Sequence, residues 1–544
     1  MKDYKRIKDP IYGYIQIPVR YMTDIVDTAP FQRLRRIIQT SYSPLYSSAV
    51  HNRFVHSMGV YYLGELAADQ LTREATVKID NTINFSMYGE VFKLACLLHD
   101  VGHAPFSHTG ESFYLGEDHD YTKLHEKLIE VIGSTEFERD IPQDKSLAAA
   151  PHEIMSAIIG VLKYRTFFDT VEKKELFVRC ITGYKYSVRT TENSIKNCFI
   201  SMLNSKVIDV DKLDYLIRDA YITGFDTVNI DFERLLSSLT LSKNNGMYEI
   251  AYNKNAISVI ENVVYAHDAE KKWIQTHPVV LYEAYILQHV FSHLSENMDN
   301  EGKKLFSLES LSVEGQQFND NISIALLCDD DIIFLMKNVY PNEISKEFFE
   351  RRERRHPVWK SEAEYKAFVL NLARGGELLQ EFETAMSVTA KYLIKSTDSW
   401  VIDDALIDKL EKEKVVLEGM DIDPETKEVQ LGNKIKILKV MHSLQSYAKE
   451  KGIECNFVIL MASQFNSGFG KSDFSATKVV FQTKDEDKVA KVGDIVSSLQ
   501  AKEKERDNFF YLFYKRKEDM SIDDIEIDNQ EICKRLFKEV VFED

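Results

Sequence analysis

The sequence predicts a mainly α protein, a helical bundle with a smaller α+β lobe at its C-terminal end. Three observations predict it. Glycine and proline are sparse, 22 and 11 in 544 residues, so little punctuates long helical segments. Apolar residues recur at spacings of three and four through most of the first 400 positions, the period of helices with one buried face. Beyond residue 400 the pattern changes to runs of β-branched and aromatic residues that suit strands.

Taken in order, residues 1–290 read as successive amphipathic helices. FVHSMGVYYLGELAADQLTREA, EVFKLACLLHD, HEIMSAIIGVLKY and DVDKLDYLIRDAYI carry the pattern. LTLSKNNGMYEIAYNKN places an Asn-Asn-Gly turn between two extended segments, which predicts a small hairpin near 239–254. Helical periodicity resumes from Ala256 to about Ile394. CNFVILMASQF, ATKVVFQTK and NFFYLFYKRK then read as strands, followed by the acidic segment EDMSIDDIEIDNQE as a tail. The expected division is 1–400 for the helical core and 401–544 for the lobe. The basic run RRERRHPVWK at 351–360 reads as a solvated helix end stopped before Pro357.

Composition narrows the function classes. Hydrophobic content of 44% with 28% charged residues is the profile of a soluble globular protein. No run approaches the ~20 apolar residues of a membrane span, and the N-terminus lacks the apolar core of a signal peptide. Six cysteines occur without a CxxC pair, which predicts reduced core thiols and a cytoplasmic protein. The net charge of −18 argues against a nucleic-acid coat yet leaves room for a basic pocket holding a phosphorylated small molecule.

The chemistry concentrates in three pieces. In LACLLHDVGHAPFSH, an apolar run delivers His99 and Asp100, with His103 and His108 following. His99 and His103 share a helix face if the helix continues that far, but Gly102 and Pro105 predict that it ends here and that the chain turns. Upstream, Arg53 and His56 open an amphipathic helix. Downstream, Asp211, Tyr215 and Asp219 recur every four residues and form one polar stripe on an otherwise apolar helix. Neutral imidazoles and carboxylates suit a borderline divalent ion.

These pieces, with KDPIYGYIQIP, APFQRLRRIIQ, HNRFVHS and DVDKLDYLIRDAYITG in the same order, resemble the HD superfamily of metal-dependent phosphohydrolases. The likeness is closest to its dNTP triphosphohydrolase branch, which includes the vertebrate SAM-and-HD-domain enzyme and bacterial relatives. The resemblance runs from about residue 5 to 225, with no SAM domain ahead of it, and more loosely to the C-terminus. It implies an HD-domain helical bundle in which His56, His99, Asp100 and Asp211 hold one divalent ion (Mn, Fe, Ni, Co, Zn or Mg). It further implies hydrolysis of a nucleoside triphosphate, carried with Mg, to nucleoside and inorganic triphosphate.

His152, in a His-Glu-x-x-Ser setting, corresponds to the general acid, with His125 as the alternative. His103 and His108 correspond to groups lining the triphosphate, and Asp219 to a group at the sugar 3′-hydroxyl. Gln39, Arg53, Lys212, Tyr215 and Gln275 correspond to further substrate contacts. Thr40 and Ile274 depart from the pattern that selects deoxyribose, so sugar preference stays open. Lys5, Asp27, Gln32 and Arg35 match positions that bind an activating guanine nucleotide, GTP or dGTP, at a subunit interface; a homodimer or homotetramer would follow. The plainer account of Asp27 is a helix cap ahead of Pro30. Rival readings are an HD phosphohydrolase acting on a monophosphate or signalling nucleotide, and a nucleotide-sensing binding protein.

Overall fold

The computed structural model describes residues 3–79, 83–116, 120–225, 229–299, 302–373, 376–395, 402–463, 472–481, 487–496, 508–516 and 520–542. Helices take up 63% of the described residues, the mainly α class with a smaller strand-containing C-terminal region. Two compact units form. The first comprises Met1–Lys271, Leu287–Asn342 and Ser467–Glu503; the second comprises Lys272–Ile286, Glu343–Asn466 and Lys504–Asp544. This differs from the single boundary expected at residue 400. The strand Lys478–Phe481 pairs in parallel with Met247–Asn253, so the segment carrying it belongs with the first unit.

The first unit is built around the helix Arg53–Lys78, which packs against Phe85–Leu98 and Val210–Thr223. Asn52 starts it by accepting a hydrogen bond from Val55 N at 3.3 Å. Phe85–Leu98 buries Leu94, Ala95, Cys96, Leu97 and Leu98 in succession, as a helix enclosed on all sides does. It stops at Leu98, so His99 is its C-cap and His103 does not share its face. Val210–Thr223 is capped by Asp209, which accepts from Lys212 N at 2.7 Å.

The opening hairpin, Tyr4–Asp9 with Gly13–Pro18, carries the Asp-Pro-Ile-Tyr-Gly turn. Asp9 Oδ1 accepts from the backbone N–H of Ile11 and Tyr12 at 2.8 and 3.0 Å, which leaves its other oxygen available. The predicted hairpin is present as Leu239–Asn244 and Met247–Asn253. Asn245 and Gly246 take positive φ of 48° and 80° at its turn.

The second unit holds a three-stranded sheet ordered His356–Pro357, Asn508–Tyr514, Val458–Ser463. Long helices, Asp404–Gly419, Pro424–Lys451 and Ile522–Val541, make it α+β. The expected acidic tail is therefore mostly helix. Its Asp523 and Asp524 occupy the first turn, where the helix dipole favours them, and Ile532, Leu536 and Phe537 are buried further along. The basic run is a solvated helical turn only at Arg351–Glu353, where Arg351 and Arg352 are exposed. Arg354 is buried on Glu283, and Arg355 pairs with Glu347 and donates to Tyr282 Oη at 3.2 Å. Among the described residues no helix is long and apolar enough to cross a membrane, and all six cysteines are free, five of them buried.

Candidate metal centre

His56 and His99 face each other with their Nε2 atoms 3.3 Å apart. Each ring is fixed by its other nitrogen. His99 Nδ1 donates to the Cys96 carbonyl at 2.9 Å, which leaves Nε2 with its lone pair. His56 Nδ1 lies 2.7 Å from Asp214 Oδ2. Around the two facing nitrogens stand Asp211 Oδ1, 2.9 Å from His56 and 3.7 Å from His99, and Asp100, 3.3 Å from His99 and 3.7 Å from His56. One ligand atom from each of His56, His99 and Asp211 fits within 4.8 Å. Asp211 is 36% exposed at its side chain, so the group opens on that side.

The electrostatics favour a cation here. Burial alone lowers the His56 pKa, but hydrogen bonds to Asp211 and Asp214 outweigh it and push the ring up to about 10. Asp211 is held well below the usual carboxylate range: burial raises it, and His56 and His99 more than compensate. Two imidazoles and two carboxylates are a donor set that fits a borderline divalent ion, and their −2 balances its charge.

Behind His56 lies a layer that the sequence reading did not single out. Asp214, fully buried, receives Tyr12 Oη at 2.7 Å and Arg218 through Nε at 2.9 Å and Nη2 at 3.0 Å. Arg218 Nη1 then reaches Asp9 Oδ2 at 3.1 Å. Gly59 makes room for this pair, since a Cβ there would lie 1.8 Å from Asp214 Oδ1. A carboxylate behind a ligating imidazole sets its tautomer and orientation. The available signal was an Asp and an Arg four apart inside an apolar helix.

Arg53 is committed within the site. Its Nη1 donates to Asp100 Oδ2 and its Nε to Ser107 Oγ, both at 2.8 Å, and Nη2 reaches the Gln39 carbonyl at 3.3 Å. Burial raises the Asp100 pKa, but Arg53 and His99 hold it well below the ordinary range. Asp219 lies 2.8 Å from the Nε2 of His51, another residue the sequence reading passed over. Gln39 Oε1 and Thr40 Oγ1 are buried without a hydrogen-bond partner among the described residues.

A second cluster stands beside the first. The His103 ring stacks on His152 at 4.0 Å and 15°, and His108 meets both edge-on at 5.1 Å. Glu111 joins them, bonded to His152 Nδ1 and 3.2 Å from His108 Nδ1. Burial lowers the His152 pKa, but Glu111 reverses this and raises it to about 9. His103 is pushed well below the imidazole range by burial, Arg53 and His152. One ring is thus a proton donor beside a neutral one. These three histidines also bring nitrogens within 4.8 Å of one another, with Glu111 on the Nδ1 side of His152 and His108.

His125 lies elsewhere, 3.0 Å from Tyr184 Oη and stacked on Tyr121. The helix Pro151–Lys163 places His152 in its first turn, where Glu153 accepts from Ala150 N at 2.6 Å. Its Ser156 Oγ accepts from Gly102 N at 2.9 Å. Gly102 lies in the turn that follows the helix, as expected, and it also permits this close approach, because a Cβ would lie 2.3 Å from Ser156 N. The unusual backbone falls on Phe106 and Ser107, with φ of 54° and 57°, each costing roughly 1–3 kcal/mol.

The remaining residues divide. Lys212 folds back, its ammonium 2.7 Å from both Asp209 Oδ2 and the Ser205 carbonyl. Tyr215 is half-buried on the same helix as Asp211. Gln275 and Ile274 fall in the second unit, on the turn Lys271–Gln275. Lys5 Nζ lies 3.6 Å from Asp27, and Arg35 donates to Gln32 at 2.9 Å while its guanidinium covers the Phe54 ring. Asp27 does not cap the helix Ala29–Gln32, whose N-cap is Thr28.

Comparison with known proteins places this geometry. The HD domain family matches residues 53–182. An uncharacterized protein of Mycoplasma genitalium is 29% identical over 47% of this chain and 52% of its own length. An uncharacterized protein of Bacillus subtilis is 26% identical, covering 56% and 58%. The deoxynucleoside triphosphate triphosphohydrolase SAMHD1 of Gallus gallus is 32% identical over 43% of this chain and 36% of its own. The matches thus span about half the length of the first two relatives. The crystal structure of a hypothetical protein from Aquifex aeolicus superposes with a TM-score of 0.53 at 18% identity, covering 98% of this chain and 100% of that one, a likeness of fold.

Proposed function

We propose that this chain, whose residues 53–182 match the HD domain family and which resembles the dNTP triphosphohydrolase branch of the HD phosphohydrolases, hydrolyses nucleoside triphosphates to nucleoside and inorganic triphosphate. The observation that carries the reading is the pair of Nε2 atoms 3.3 Å apart, each ring locked from behind, facing Asp100 and Asp211. His56, His99, Asp100 and Asp211 would hold the divalent ion. That ion supplies Lewis acidity toward a phosphoryl oxygen and a lowered pKa for attacking water.

The chain's own residues supply the rest. Asp214 and the Cys96 carbonyl keep both imidazoles oriented toward the ion. Arg53 neutralises part of the charge on Asp100. His152, protonated at neutral pH beside Glu111, donates a proton to the departing 5′-oxygen of the nucleoside. His103 and His108 line the path of the phosphate chain and offer it ring N–H groups. The stacking of His103 on His152 sets the acid's ring plane.

Activation by a guanine nucleotide rests on Lys5, Asp27, Gln32 and Arg35, which the fold gathers as two neighbouring pairs. Asp27 is half-exposed beside Lys5, and its carboxylate would accept the two N–H groups of a guanine edge. Such a site would act at the interface of a homodimer or homotetramer, in the cytoplasm. Purified protein incubated with Mn²⁺ and each dNTP and NTP, with and without GTP, tests the reading by product chromatography. Nucleoside and triphosphate are expected; monophosphate and pyrophosphate would overturn it.

A further inference from the structure

We propose that Asp329, which lies outside the matched HD domain, is a positioning residue for the reaction. It clamps the strained turn that aims His103 and His108. The proposal rests on the function proposed above.

Asp329 is 8% exposed and reaches into the site's back wall from the segment Leu327–Asp331. Its two oxygens serve two different loops: Oδ1 accepts from Phe106 N at 2.7 Å and Oδ2 from Ile38 N at 2.8 Å. Phe106 is the first of the two residues held at positive φ. Ser107, the second, donates through Oγ to the Ile38 carbonyl at 2.5 Å and accepts from Arg53 Nε. Ile38 thus has both backbone groups tied to the turn, one through Asp329 and one through Ser107.

The same segment grips the other end of the loop. Arg33, buried, donates to the carbonyls of Val101 at 2.9 Å and His103 at 2.8 Å, and through Nη1 to that of Leu327 at 2.7 Å. The stretch from Val101 to Ser107, which contains His103 and leads directly into His108, is therefore anchored at both ends. A left-handed conformation at two consecutive non-glycine residues persists only where the surroundings over-determine it. Only a carboxylate offers an acceptor to each of two diverging N–H groups; an amide presents its NH₂ to one of them.

The test compares Asp329→Asn and Asp329→Ala with the native full chain. It measures amide hydrogen exchange, bound Mn²⁺, melting temperature, and kcat and KM separately. Exchange should rise selectively at residues 104–110, with Mn²⁺ binding retained. kcat should fall about 10- to 100-fold with a smaller change in KM, because the ion's ligands stay in place while His103 and His108 lose the aim that counts most in the transition state. Unchanged exchange at 104–110 would overturn the proposal. So would a fall in melting temperature with kcat preserved in the folded fraction, which marks a structural role alone. If the native protein hydrolyses no nucleotide while the selective exchange appears, the functional reading falls and the clamp stands.

Discussion

The two histidine clusters lie side by side and share the Asp100 carboxylate as a neighbour, yet their electrostatics differ. In the first, His56 and His99 have their rear nitrogens occupied and their front nitrogens facing each other between depressed carboxylates. In the second, His152 is paired with Glu111 and stacked on a ring that stays neutral. The first arrangement concentrates negative charge on a point where lone pairs converge, which suits a cation. The second divides one proton unequally among imidazoles, which suits proton delivery. Adjacent residues in HDVGHAPFSH thus acquire different chemistry from what stands behind each ring.

The largest expected effect tests the first half of that contrast. Asp211→Ala or His99→Ala should abolish stoichiometric binding of the divalent ion and lower turnover at least ~10³-fold. Elemental analysis of the purified chain should find one ion. Two ions, or loss of the ion in His152→Ala, would erase the distinction between the clusters.

His152→Ala comes next. It should lower turnover by roughly 10²–10⁴-fold, the usual contribution of a general acid, with the ion retained. His125→Ala should act far more weakly, since His125 bonds Tyr184 outside the cluster. The reverse ranking would reassign the acid.

A smaller effect comes from behind His56. Asp214→Asn should weaken metal affinity about 10- to 100-fold, the range for the partner of a ligating histidine. Gly59→Ala attacks the same place by volume, because its Cβ would overlap Asp214 Oδ1. It should cost at least ~2 kcal/mol in denaturant unfolding as well as the ion.

These residues also mark how far the sequence carried. That His56, His99, Asp100 and Asp211 come together was legible from the resemblance to the HD superfamily, whose motifs set His and Asp in or just beyond apolar helices. Asp214 was not, because on a helix that also bears Asp211 and Asp219 it reads as one more exposed acid; Arg218 four residues on was its one hint, and its complete burial shows its place. Asp9 and Tyr12 entered only within the motif KDPIYGYIQIP; they sit on a turn whose second Asp9 oxygen serves Arg218 some 200 positions later. Glu111 follows His108 by three and was visible in principle as its partner. Asp329 was not, since an acidic triplet at a helix start is ordinary and its two amide partners come from distant loops. The strands of the C-terminal stretch were legible from composition, while their assignment to different units was not, because pairing partners carry no local signal.

The finest prediction separates the clusters by pH. His152 owes its raised pKa to Glu111, which overcomes the lowering effect of burial. A general acid works while protonated, so activity should persist as pH rises from neutral and fall through about 9. Glu111→Gln removes the charge but keeps a hydrogen-bond acceptor. Burial then dominates, the His152 pKa drops, and the alkaline limb of kcat should move to lower pH. Ion binding, which depends on the other cluster, should hardly change. The shift should be absent in His152→Ala, whose residual rate has no acid to titrate. If Glu111→Gln leaves the alkaline limb in place, the proton is delivered from elsewhere, and the second cluster is a phosphate lining only.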